Sequence, residues 1–323
     1  MDEAIKNFAK QFGWKPQVEN ATGLKNLDRW TVAGMGGSHL AAGLLKIRKP
    51  DADIIVHHDY GLPALPAGEA GQRLIIASSY SGNTEETLDA FEEAGKRGLA
   101  RVAISVGGKL IELAKSSGVP YVQFPDTGIQ PRSALGFSIK ALLKLMGEEA
   151  ALEEIASLAE TLDPLASKEA GRQLAETLKG YVPVIYTSLG NAAIGYNWKI
   201  KFNETAKIPA FVSTFPELNH NEMTGFDLTP ETRPLSEKFF FIFLKDPADS
   251  PKIQKRMEVT GGLFRDRGFT VSVVEMRGNN IFHKLFSSLL LADWTAYYAA
   301  EFNGIDPDEV PMVEEFKRLI GGK

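Results

Sequence analysis

Arg73-Leu-Ile-Ile-Ala77, running into Ser78-Ser-Tyr-Ser-Gly-Asn-Thr-Glu-Glu-Thr87, is the stretch that decides the fold. The first five residues are a short apolar run of the kind shown by a buried parallel strand, and residues 84–97 carry a helical pattern. Serine and threonine hydroxyls and one glycine therefore sit where a strand ends and a helix begins. Backbone N–H groups lack intrahelical partners there, and the helix dipole favours negative charge, so the position suits an anion. No lysine of the G-x-x-x-x-G-K-[ST] kind is present, which points away from a nucleoside triphosphate and towards a small phosphorylated metabolite. Alone, Ser-Gly-Asn-Thr is also an ordinary turn with Asn83 or Thr84 as N-cap.

A second loop of the same kind shifts the balance. Gly34-Met-Gly-Gly-Ser38 follows the run Trp30-Thr-Val-Ala33 and precedes a helix over 39–46. It matches the Gly-x-Gly-x-x-Gly dinucleotide fingerprint only loosely, because His39 stands where the last glycine belongs. Asp59, after His57-His58, is followed at once by Pro63 and Pro66, so no nicotinamide site is expected.

Working outward, apolar runs alternate with amphipathic segments along nearly all of the 323 residues. Strands are expected near 30–33, 53–56, 73–77, 101–105 and 120–123, with helices near 39–46, 84–97, 109–116 and 133–146. Helical stretches at 148–161 and 166–179, broken at Asp163-Pro164, read as a connector. A second series follows: strand 181–186, helix 191–206, strand 239–244, helix 251–267, strand 270–275 and helix 281–302. The expected fold class is α/β, two doubly wound lobes, each a mainly parallel sheet flanked by helices. Residues 1–150 form the first expected domain; residues 151–323 form the connector plus the second. Both lobes open with a strand and a glycine turn, so the second reads as a diverged copy.

Composition excludes several classes. A formal charge of −5 with no basic run speaks against nucleic-acid or membrane-surface binding. No apolar stretch approaches the ~18 residues of a membrane span, and the first residues lack a signal-peptide pattern, so a cytoplasmic protein is expected. With no cysteine there is no disulfide, thiolate nucleophile or cysteine metal site. The five histidines show no metal-ligand spacing, and neither metal nor other cofactor is expected.

Ligands of open α/β sheets bind outside the carboxyl ends of the strands. Both hydroxyl loops fall there, and so does Asp126-Thr-Gly-Ile-Gln-Pro131-Arg132-Ser133, which follows strand 120–123. Pro131 signals a helix start, and Arg132 beside it places a cation at an end that repels one, which suggests an anionic partner.

These residues carry a resemblance. Gly34-Met-Gly-Gly-Ser38, Ser79-Tyr-Ser-Gly-Asn-Thr84, Ile104-Ser-Val-Gly-Gly-Lys109, Pro131-Arg132, Asn203-Glu204 and Asn219-His220-Asn221-Glu222 stand in the order seen in the bifunctional phosphoglucose/phosphomannose isomerases, two-lobed sugar-isomerase (SIS) proteins. The resemblance spans nearly the whole chain. It implies that Gly37, Ser38, Ser79, Ser81 and Thr84 hold a sugar 6-phosphate and that Arg132 steadies charge on the open-chain sugar. It further implies that Glu204 moves a proton between C1 and C2, and that His220 assists ring opening from the neighbouring subunit of a homodimer, partnered by Lys317. One departure is visible: Asp306-Pro-Asp-Glu-Val-Pro-Met312 stands where relatives carry a Thr-Pro segment, which puts equal use of the glucose and mannose phosphates in doubt.

The chemistry suits these residue types. One carboxylate can shuttle the proton through an enediol, an acid must protonate the departing ring oxygen, and a cation stabilises the enediolate. Each residue also has a plainer reading. Glu204 is an ordinary carboxylate near a helix end, His220 a turn residue, and Lys317 a solvated lysine on the amphipathic helix Val313–Ile320. His57, His58 and His283 read as structural, and Trp198 and Phe202 as core. Two rival functions remain: a SIS isomerase of a different phosphosugar, and a sugar-phosphate sensor that binds without turnover. The sensor would keep Ser79, Ser81 and Thr84 but need neither Glu204 nor His220.

Overall fold

The computed structural model describes residues 1–320. The helices are α1 (Asp2–Lys6), α2 (Leu40–Arg48), α3 (Glu85–Lys96), α4 (Gly108–Ser116), α5 (Leu135–Leu145), α6 (Glu149–Ala156), α7 (Leu158–Thr161), α8 (Lys168–Leu178), α9 (Ala192–Lys201), α10 (Arg233–Ser236), α11 (Pro251–Asp266), α12 (Ile281–Phe302) and α13 (Pro311–Ile320). The strands are β1 (Arg29–Ala33), β2 (Asp53–His57), β3 (Leu74–Ser78), β4 (Arg101–Ser105), β5 (Tyr121–Gln123), β6 (Val182–Ser188), β7 (Phe211–Phe215), β8 (Phe239–Lys245) and β9 (Thr270–Glu275). Two compact units result, one of residues Lys6–Asp163, the other of Met1–Ile5 with the chain from Pro164 onward.

The first unit is built on a parallel sheet in the order β2-β1-β3-β4-β5. Leu74-Ile-Ile-Ala-Ser78 is buried at every position, as a strand covered on both faces must be. Helix α3 turns Thr87, Leu88, Ala90, Phe91 and Ala94 inward, so that Leu88 and Phe91 pack with Ala77, Ala103, Leu110 and Tyr121. Fully burying a side chain such as Phe91 stabilises by about 1.5–3 kcal/mol. Helix α6 packs on α5, and α7 packs on the turn Phe8–Gly13, all within this unit.

The second unit repeats the plan with one strand fewer, in the order β7-β6-β8-β9, again parallel throughout. The α/β expectation of two mainly parallel lobes therefore holds. Its core is aromatic: Tyr186, Phe215, Phe241, Phe243, Phe264 and Phe269 form one cluster. Strand β7 has no counterpart in the sequence expectation. Phe211-Val-Ser-Thr-Phe215 carries two hydroxyls in its centre and has Pro209 and Pro216 close on either side, which reads as loop. Its place at the sheet edge explains the pattern, because only Phe215 is fully buried. Helix 191–206 also needs correction: the α-helix stops at Lys201, and Phe202–Ala206 wind as a π-type turn. Among the described residues no helix is long and apolar enough to cross a membrane.

Candidate active site

In the first sheet the strand order reverses between β1 and β3, which makes their carboxyl ends the place for a ligand. The loop after β1 and the loop after β3 lock each other there. The Ser78 hydroxyl donates to the Ser38 carbonyl at 2.9 Å, and the Tyr80 N–H donates to Ser38 Oγ at 2.9 Å. Within the second loop the Gly82 N–H donates to Ser79 Oγ at 3.0 Å, and Ser79 Oγ shares a hydrogen bond of 2.8 Å with Thr84 Oγ1. Gly82 lies at φ +73°, and a Cβ there would stand 1.8 Å from the Gly107 carbonyl oxygen. Only glycine lets the two chains meet so closely.

A count of protons shows what this loop offers. Ser38 Oγ accepts from Tyr80, so its own O–H is left to donate outward. Ser79 and Thr84 spend one hydroxyl proton on each other and keep one. Ser81 is exposed, and its Oγ accepts from the Asn83 N–H at 3.2 Å, leaving another. Thr84 occupies the N-cap of α3 without a side-chain capping bond, so the first-turn N–H groups have no internal partner. Asn83 caps a different helix: its Oδ1 accepts from the Lys109 N–H at 3.0 Å, at the start of α4.

Gly37 and the turn Pro131–Ser133 are pressed together, since a Cβ on Gly37 would lie 2.6 Å from the Pro131 carbonyl carbon. The Pro131 signal is thus spent on a short turn, and α5 begins only at Leu135. Arg132 is not a surface cation at a helix end but is 1% exposed. His39, next to Ser38, stacks on His58 with centroids 5.5 Å apart. Burial, with His58 beside it, pushes His39 down to about 4, so His39 adds no charge to the loop near neutral pH.

The second sheet reverses its order between β6 and β8, but the residues at that point are of another kind. Asn191 Nδ2 donates to Ser188 Oγ at 3.0 Å and to Asp246 Oδ2 at 3.2 Å, and Lys284 Nζ meets the same Asp246 oxygen at 2.5 Å. Burial raises Asp249 beside them, Ser188's hydrogen bond opposing the rise. This crevice carries the chain's own ions, and Asn191 Oδ1 and Asp249 Oδ2 stay buried there without a hydrogen-bond partner among the described residues.

The remaining expected residues lie in the second unit. Glu204 is half-buried on the π-type turn, whose neighbours Phe202, Thr205 and Ala206 are buried. The turn is pinned at its start by the Lys201–Asp293 ion pair at 2.6 Å, with side chains 2% and 4% exposed, and at its end by Lys207 at φ +53°. π-type turns recur at functional sites. His220 is exposed at the end of the turn Glu217–His220. Asn219 beside it donates to Thr260 Oγ1 at 2.8 Å and accepts from Arg256 at 3.2 Å. Two residues on, the Glu222 carboxylate accepts hydrogen bonds from the Tyr186 and Ser213 hydroxyls. Grooves of about 370 and 410 Å³ run on either side of Glu222, sharing Val212, Ser213 and Glu222 as walls. Lys317 lies on α13, none of whose side chains is buried, and pairs with Glu314 at 2.8 Å. The structure thus gathers Gly37, Ser38, Ser79, Ser81, Thr84 and Arg132 in the first unit and holds Glu204, His220 and Lys317 in the second. The bond between Tyr186 and Glu222 has no local signal, since Tyr186 lies 36 residues earlier.

Comparison with known proteins agrees with the fold and with the family resemblance. Residues 167–320 match the model of the bacterial phospho-glucose isomerase C-terminal SIS domain. A bifunctional phosphoglucose/phosphomannose isomerase of Aquifex aeolicus is 34% identical over 98% of this chain and 97% of its own. One from Caldicellulosiruptor bescii is 33% identical over 92% and 90%. Among solved structures, a glucosamine-6-phosphate deaminase from Thermotoga maritima superposes with a TM-score of 0.68, at 16% identity, over 96% of this chain and 97% of its own. At that identity the likeness shows the fold alone.

Proposed function

Because the chain belongs to the bifunctional phosphoglucose/phosphomannose isomerase family, we propose that it interconverts glucose 6-phosphate, and mannose 6-phosphate, with fructose 6-phosphate. The observation that carries the reading is the hydroxyl-and-glycine crevice of the first unit. Its spare O–H groups and first-turn N–H groups are donors that a phosphate-like anion can use together.

In this reading Gly37, Ser38, Ser79, Ser81 and Thr84 hold the 6-phosphate. His220 protonates the ring oxygen as the sugar opens, with Lys317 as its partner. Glu204 takes the proton from C2, and the electron pair left there forms the enediolate, whose charge Arg132 stabilises. The hydroxyl proton of O2 passes to O1, and Glu204 returns its proton at C1 as C2=O forms, giving the ketose. A carboxylate serves both transfers because it is a base before the enediol and an acid after it. The protein acts in the cytoplasm as a homodimer, His220 serving the neighbouring subunit's sugar.

The test is a coupled assay of fructose 6-phosphate formed from glucose 6-phosphate by the wild type and by Glu204→Gln. A loss of at least ~10³-fold is expected. Unchanged turnover removes Glu204 from the mechanism. A protein that binds glucose 6-phosphate yet turns over no sugar in its wild-type form would be the sensor instead. For the shared site, Glu204→Gln and His220→Ala subunits mixed into heterodimers should regain activity, and proven heterodimers without it refute the sharing.

A further inference from the structure

His220 is exposed and makes no hydrogen bond to the described residues, yet the chain on either side of it is held on two different walls. Before it, Asn219 is bonded to Thr260 and Arg256 of α11. After it, the Glu222 carboxylate turns back to the sheet, where Tyr186 Oη donates to Oε1 at 2.7 Å and Ser213 Oγ donates to Oε2. Asn221 ties the short arc between them, donating from Nδ2 to Glu217 Oε1 at 2.7 Å.

The fold does not need this arrangement. Tyr186 is fully buried, with the rings of Phe215, Phe241, Phe243 and Phe264 at centroid distances of 5.4–6.2 Å. A phenylalanine would fill the same space without bringing a hydroxyl into an apolar core, where it costs free energy unless bonded. That hydroxyl is given to a carboxylate from a loop, in a charge-assisted bond about twice as strong as a neutral one. Burial and the adjoining Glu222 carboxylate raise the phenol's titration, so Tyr186 stays a donor.

We propose that the hydrogen bonds from Tyr186 and Ser213 to Glu222 set the position of His220, making Glu222 and Tyr186 positioning residues for the isomerisation. The inference rests on the reading of His220 as the ring-opening group. It adds that the imidazole is aimed through its backbone, by a carboxylate two residues away, rather than by a bond to its own ring.

The test measures kcat and KM for Glu222→Ala, Tyr186→Phe and Glu222→Gln, and for Glu222→Ala in a His220→Ala background. Glu222→Ala is expected to lower kcat by about 10²-fold, the effect of misplacing a reacting group by about 1 Å, with KM unchanged. Tyr186→Phe should lower kcat in the same way but less. Glu222→Gln should recover most of the rate, because its amide oxygen still accepts from Tyr186 and Ser213 can turn to accept from the amide. In the His220→Ala background, Glu222→Ala should cost nothing more. Additive loss in that background, a change confined to KM, or wild-type kcat in both Glu222→Ala and Tyr186→Phe overturns the proposal. If Glu222→Ala does not fold, Tyr186→Phe decides the question, alone and in the His220→Ala background, since it keeps the ring's packing. A fully active His220→Ala ends the reading of His220 and this inference together. A slow His220→Ala beside fast Glu222→Ala and Tyr186→Phe ends only the positioning.

Discussion

The two sheets of this chain share the order of their first four strands and reverse it at the same point, yet the crevices there are chemical opposites. One is walled by Ser38, Ser79, Thr84 and close-packed glycines, the other by Ser188, Asn191, Asp246 and Asp249 with Lys284 as internal counter-ion. The backbone supplies strand ends and helix N-termini to both. What differs is the side chains at those ends: hydroxyls and glycines in one, an amide, two acids and a lysine in the other. The topology therefore creates the same strand–helix junction twice, and the side chains give each a different chemistry.

The sharpest way to break that contrast is at the glycines. Gly82→Ala must move the Gly107 backbone and adopt a left-handed φ, so a loss of roughly 4 kcal/mol or more is expected, together with loss of phosphate binding. At Gly190, in the turn after β6 at the second crevice, the nearest atom to a new Cβ is Ser188 Oγ at 3.9 Å, and Gly190→Ala should stay within ~0.5 kcal/mol. Equal midpoints for both variants in thermal melts would contradict the difference.

Next comes Asp246→Ala, which leaves the largely buried Lys284 without its counter-ion and should cost roughly 3–5 kcal/mol. If the first crevice alone holds the phosphate, the KM for sugar phosphate in the folded variant should not change. A large rise in KM would mean that both crevices serve the substrate.

A smaller effect is expected from His39, whose folded titration lies near 4 against 6.5 unperturbed. Its stabilisation is complete above pH 6.5 and is lost as the pH falls towards 4, because the unfolded chain takes up a proton that the folded one refuses. The size is roughly 2–3 kcal/mol. Denaturant melts across that window should show the decline, and His39→Gln should flatten it. An unchanged slope in the variant would assign the acid sensitivity elsewhere. The smallest effect belongs to Asn83→Ala, which removes the cap on α4 and should cost about 1 kcal/mol by chemical denaturation. A neutral result would show that the two loops hold together without it.

Much of this was legible in the sequence, for identifiable reasons. Leu74-Ile-Ile-Ala and Phe239–Lys245 read as strands because a parallel strand buried on both faces must be apolar throughout. The Ser79–Thr84 loop read as an anion site because its residue types are local to a strand–helix junction. Strand β7 did not, since an edge strand with one half-covered face keeps hydroxyls that also suit a loop. The burial of Arg132 had no signal for a related reason: a proline start says where a helix turns but not what packs over it.

The sequence by itself determined the α/β repeat, the family, and which junction carries hydroxyls rather than acids. These follow from periodicity and residue type within windows of about ten residues. Only the tertiary structure decided which of those groups still has a proton or N–H to give. Ser38 against Tyr80, Asn83 against α4, and Glu222 against Tyr186 are pairings between atoms brought together by the packing of elements, and no local pattern encodes a distance across a fold.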